Sequence, residues 1–111
     1  MGNESEHELL ERVRVLLPGS QERRMFGGVA FMRDGSMVCA VSSRGALVRV
    51  DRGDQDELVE RTGVEAMVMG ERRSRTWVSV APEALADDGD LEAWVERGVA
   101  AARAAGPGRS G

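Results

Sequence analysis

RRMFGGVAF, residues 23 to 31, sets two glycines inside an apolar run of strand character. Two architectures would explain them. A phosphate-cradling loop places a glycine-rich turn directly ahead of a helix, with Lys and Ser/Thr in the nucleoside-triphosphate version. A strand carries glycine where it bends, or where another backbone comes close. Val29-Ala30-Phe31-Met32 and the hairpin signal Asp34-Gly35 follow Gly27-Gly28. No helix begins there, so the phosphate loop is set aside. The reading is a sheet device, a bulge or close approach in a strand running from Met25 to Met32, with Gly28 structurally required.

From that strand the chain reads outward as a meander. Ser36 to Val41 returns antiparallel, Ser43-Arg44-Gly45 turns, and Ala46 to Val50 forms the third strand. Along it Val48 and Val50 point one way, Leu47 and Arg49 the other. Upstream, Ser5-x-x-Glu8 predicts a capping box opening a helix whose apolar face is Leu9, Leu10, Val13, Leu16 and Leu17. Pro18-Gly19 stops it. Downstream, Asp54-x-x-Glu57 predicts a short second helix. Strands at Val64 to Met69 and Thr76 to Val80 follow, joined by a polar loop from Gly70 to Arg75. A turn after Pro82 leads to a last helix from about Leu91 to Ala105, striped by Leu91, Trp94, Val95, Gly98, Val99 and Ala102. The order is α-β-β-β-α-β-β-α. It predicts an α+β fold, a two-layer antiparallel five-stranded sheet with helices, as one domain over 1–105 with a disordered tail over 106–111.

Composition narrows the function classes. Of 111 residues, 41% are hydrophobic and 31% charged, a globular profile rather than a disordered one. Cys39 is the single cysteine, so no internal disulfide forms. MGNESEHELLERV has no apolar signal region, and no stretch reaches membrane-spanning length. The expectation is a cytoplasmic protein without membrane contact. Net charge is −4, which weighs against non-specific nucleic-acid binding. All fifteen basic residues are arginine, a coding bias of a GC-rich bacterium rather than a binding signal.

No constellation of nucleophile, acid and base is visible, so no catalytic residue, metal ligand or cofactor is expected. Cys39 lies mid-strand among apolar residues and reads as a buried thiol. The one histidine, His7, lies near the start of the first helix. Asp87 and Asp88 read as helix-start residues. Arg23, Arg24, Arg72, Arg73 and Arg75 read either as solvated positions or as an anion or nucleic-acid contact. Trp77 alternates away from Val78 and Val80. With Met67 and Met69 it reads either as core or as an association surface on the sheet face away from the helices. A protein partner of unknown identity and a homodimer are the associations this implies.

Arg24-Met25-Phe26-Gly27-Gly28, then a strand, Asp34-Gly35 and another strand, resembles the N-terminal domain of the TfoX/Sxy family. Met67-x-Met69-Gly70, Trp77-Val78-x-Val80 and Leu91-x-x-Trp94-Val95 are similar too, and the likeness spans about residues 5 to 104. Met25, Phe26, Gly27 and Gly28 are its core motif. The resemblance implies a short stand-alone member with an antiparallel sheet and helices, similar to secretion-chaperone-like domains. Full-length members regulate natural competence, promoting transcription of DNA-uptake genes together with a cyclic-AMP receptor protein. They add a C-terminal helical domain that has no counterpart here. The family has no established catalytic residues. The expected function is a non-enzymatic regulatory or protein-interaction domain. The alternative is a transcription-associated regulator touching nucleic acid through an arginine rim.

Overall fold

Tight turns lay the sheet out. The computed structural model describes residues 2–25 and 27–105, with side chains from residue 6 onward except that of residue 69. In chain order the elements are α1 (Gly2–Leu16), β1 (Gln21–Met25), β2 (Gly28–Arg33), β3 (Ser36–Ser42), β4 (Gly45–Arg49), α2 (Gln55–Leu58), β5 (Val64–Met69), β6 (Arg72–Val80), a 3-10 turn (Pro82–Leu85) and α3 (Asp88–Ala105). Among the described residues six strands form one antiparallel sheet in the order β1-β2-β3-β4-β6-β5. The α+β class stands, and the sheet has one strand more than the sequence pattern predicts.

The extra strand comes from the opening stretch. RRMFGGVAF is a hairpin rather than one interrupted strand. Met25 ends β1 and pairs with Gly28, while Gly27 takes φ +75° in the connecting turn. Phe26 lies outside the described residues. β1 is Gln21-Glu-Arg-Arg-Met25, mostly exposed, so it lacks the apolar alternation that marks a strand. It holds its place by backbone pairing along an edge, where charged side chains are at home. The bulge lies further on, between Phe31 and Met32. Gly28 is a close approach: a Cβ there would sit 2.2 Å from the Val41 carbonyl oxygen.

Other boundaries shift for similar reasons. Much of the polar loop read over 70–75 is strand, since β6 already begins at Arg72. Helix α1 begins at Gly2, so Ser5 lies inside it rather than capping it. Asp54 precedes α2 but makes no side-chain cap bond. Helix α3 starts three residues before Leu91 because Asp87 caps it. The Asp87 Oδ2 accepts the backbone N–H of Gly89 at 2.9 Å and of Asp90 at 3.2 Å. The tail over 106–111 lies outside the described residues.

All helices contribute to one apolar cluster. Leu9, Val13 and Leu17 from the α1 end join Leu58, Leu85, Leu91, Trp94 and Val95, against Phe31, Val41, Val48, Val78 and Val80 of the sheet. The register puts Phe31, Cys39, Val48 and Val78 in one cross-strand row and Val29, Val41, Ala46 and Val80 in the next, on the same face. Helix α3 lies directly on β3, for a Cβ at Gly98 would come within 2.8 Å of the Val38 carbonyl oxygen. Two arginines pin α1. Arg12 pairs with Asp88 at 2.8 Å, and the Arg14 guanidinium grips both Glu22 oxygens at 2.9 Å. The helices therefore cover a single side of the sheet.

Replacing Gly28 by valine forces side-chain carbons into the β3 backbone. Gly28→Val is expected to lower stability by about 1–3 kcal/mol, read as a drop in the denaturation midpoint. An unchanged midpoint would refute the close-approach account.

Candidate interaction surface

The side without helices is built by the same register. One row crosses all six strands: Arg23, Ala30, Ala40, Leu47, Ser79 and Glu65. Two residues along each strand lie Met32, Arg49, Trp77 and Met67, with Met37 paired to Met32 and Arg49 paired to Trp77. Met32, Met37, Ala40, Leu47, Met67 and Trp77 are all partly exposed. Trp77 and Met67 thus share the open face. The Met69 side chain lies outside the described residues.

Arg49 is the unusual member. It is 7% exposed in the middle of this face. Its Nε donates to the Met37 carbonyl oxygen at 2.7 Å, and its guanidinium lies 4.8 Å from the centre of the Trp77 ring. Burial lowers its pKa from the usual arginine value, yet arginine stays protonated at neutral pH. Among the described residues no carboxylate comes within ion-pair distance of it. A cation largely withdrawn from water therefore stands here with a ring and one carbonyl for company, its terminal nitrogens still reaching solvent.

Gln55 holds the Trp77 backbone from the covered side. It is 1% exposed, and its Nε2 donates to the Ser74 and Trp77 carbonyl oxygens, the latter at 2.9 Å. Two carbonyl acceptors fix which end of the amide is nitrogen. Its Oε1 has no hydrogen-bond partner among the described residues. The bridge falls where β6 slips register against β5, between the Ala66↔Val78 and Val68↔Arg73 pairs. Nothing in the sequence marks Gln55 out, since one glutamine after a cap position carries no pattern.

The arginines do not converge. Arg23 and Arg24 lie on β1, while Arg72, Arg73 and Arg75 lie on β6, with three strands between. Four strand spacings make that roughly 19 Å. Arg23 belongs to the open face, whereas Arg24 pairs with Val29 of the covered face. Arg73 is taken up by Asp56 at 3.2 Å. A trough of about 560 Å³ lies at one end of the open face, lined by Ser42, Arg44, Leu47, Met67 and Ser79 among others. A cleft of about 420 Å³ separates the β2–β3 hairpin from α3, bordered by Arg33, Arg103 and Val99.

Cys39 is buried under the helices, and that burial pushes its thiol up to about 12. His7 is exposed on α1. Among the described residues no three His, Cys, Asp or Glu side chains gather as a metal site, and no helix is long and apolar enough to cross a membrane. The model of the TfoX N-terminal domain matches residues 13–102, from the last turn of α1 through all six strands to the last turn of α3. Comparison with curated proteins and with solved structures returned no match.

The chain has neither lysine nor tyrosine, so Cys39 is its one side chain expected to titrate between about pH 8.5 and pH 12. The unfolded thiol ionises near its ordinary value of 9.0 and the native one near about 12. Between them the unfolded state holds fewer protons, so stability falls as pH rises, by about 1.4 kcal/mol per pH unit. Denaturation across that window should show the slope in wild type and a flat response in Cys39→Ala. An equal slope in both would contradict it.

Proposed function

The chain belongs to the TfoX N-terminal domain family, and on that premise we propose that it is a small non-enzymatic regulatory domain that docks another protein on the open face of its sheet. The observation that carries the reading is a six-stranded sheet covered on one side only, with partly exposed Trp77, Leu47 and three methionines around Arg49 on the other. A contiguous apolar face of this kind marks an association site. Methionine suits it, because a flexible thioether repacks against differing partners. Catalysis finds no support in the side chains: the one thiol is buried and protonated, and Asp87 and Asp88 are engaged in capping and in the pair with Arg12. A cytoplasmic role in transcriptional or competence regulation fits the family and belongs to the same reading.

Trp77→Glu tests it by setting a carboxylate at the centre of the face. The variant should keep its helical circular dichroism and lose the proteins that wild type captures from its host, as counted by mass spectrometry. Identical captured sets would end the proposal. A second copy is the second reading, carried by the row that ends in Arg23 on one edge and Glu65 on the other, for a copy laid over it with strand order reversed pairs the two. Wild type would then sediment as a dimer at tens of micromolar, and Trp77→Glu as a monomer. A monomeric wild type ends that second reading.

Direct nucleic-acid contact is left with arginines on two separate strands and a net charge of −4. No specific DNA binding is expected at physiological salt. A gel shift of sub-micromolar affinity that weakens steeply with added salt would overturn this, with Arg72, Arg73 and Arg75 the first positions to neutralise.

A further inference from the structure

We infer that the open face is built to receive an acidic protein segment, one that carries an apolar residue between carboxylates and pairs one of them with Arg49; this rests on the docking reading above. The argument starts from the cost of a buried charge. At 7% exposure Arg49 has given up most of its hydration, and a cation so placed is ordinarily paired. Among the described residues only its Nε meets an acceptor, the Met37 carbonyl. Its terminal nitrogens meet no hydrogen-bond acceptor among the described residues. Those nitrogens form the fork that matches a carboxylate with two parallel bonds. The Trp77 ring lies against the guanidinium, 4.8 Å from its centre.

The rest of the face supplies the remaining specificity. Arg44 borders the trough at the opposite end of β4 from Arg49. Five residue steps, almost all of them along β4, separate the two arginines, about 16 Å. Leu47 lies between them on β4, and Met67, Ser42 and Ser79 also line the trough. An extended segment of about the same length fits, acidic at both ends and apolar in the middle. A second copy fits less well. The carboxylate it offers on this face is Glu65, which the reversed arrangement sets against Arg23. Arg49 would then face β3 and β4 of the copy, whose open-face residues include no acid.

Selection of a random twelve-residue peptide display library on the intact chain tests the inference. Enriched peptides should carry Asp or Glu on both sides of an apolar residue, and as synthetic peptides should shift the Trp77 indole signal in nitrogen–proton spectra. Arg49→Gln should weaken them by about tenfold or more, Arg49→Lys should keep the acidic preference, and Arg49→Glu should redirect selection to basic peptides. Should loss of the Met37 bond unfold the Arg49 variants, Leu47→Arg blocks the trough without touching that bond and should abolish the indole shift. Peptides that shift Trp77 without acidic preference would overturn the acidic partner and leave the docking reading standing. Selection that yields no peptide shifting Trp77 on a monomeric chain would overturn both. A dimer dispersed by Trp77→Glu would name a second copy as the occupant, and an oligonucleotide shifting Trp77 would name nucleic acid; either defeats the inference.

Discussion

The approach of α3 to β3 is the constraint on which the rest of the structure depends. Gly98 permits it. With hydrogen in place of a side chain, the helix backbone settles against the Val38 carbonyl, where a Cβ would stand 2.8 Å away. Leu91, Trp94 and Val95 then reach into the cluster formed by the sheet valines and Phe31. Once α3 lies over the two central strands, space for the other helices exists only at its flanks. Helix α1 takes one flank, held by Arg12 to Asp88 and by Arg14 to Glu22. Helix α2 takes the other, beside β5 and β6. Every apolar stripe is used up on one side of the sheet.

That economy determines the character of the opposite face. A sheet face turned to water is ordinarily polar in alternation with a buried one. Here the alternation instead places Met32, Leu47, Met67 and Trp77 outward, with Arg49 sunk among them. The two sides are mechanically linked. Gln55 is buried on α2, and its amide nitrogen holds the Trp77 carbonyl where β6 slips register. Leaving that carbonyl unpaired would cost about 1–3 kcal/mol, so the slip is tied to α2 rather than free to anneal. The backbone that carries the ring beside Arg49 is therefore held by a residue from the covered side.

Turn chemistry made much of this legible in the sequence. Asp34-Gly35 forms its hairpin with φ of +55° and +83°, the conformation these two residues tolerate. The Leu91 to Ala102 stripe reads as a helix and is one. Trp77's side of the sheet follows from its alternation with Val78 and Val80, and Arg49's from alternation with Val48. Strand β1 was hidden because four of its five residues are polar or charged, so its strand character lies in backbone bonds to β2. The first half of β6 was hidden likewise, Arg72 to Arg75 reading as a loop. Arg49's burial was illegible for another reason. Side alone does not set depth; depth here comes from Trp77 across the strand pair and from Met37 on the next strand, contacts that no local pattern encodes.

Charge is distributed in a way that separates kinds of ligand. The chain as a whole has 19 acidic and 15 basic residues, yet the open face and its trough present Arg23, Arg44 and Arg49 against Glu65. The acidic excess must therefore sit on the helices and loops. A long polyanion approaching from solvent meets that excess within a Debye length of about 8–10 Å, and its many phosphates find few arginines in line. A short segment lying along β4, as proposed, would meet chiefly the near field, where the partly desolvated guanidinium of Arg49 acts through a lower effective dielectric. The same acidic envelope that repels a polyanion leaves such a segment's few carboxylates attracted. On the proposed reading, basic side chains too sparse to line up with a run of phosphates can still match the few carboxylates of a short segment.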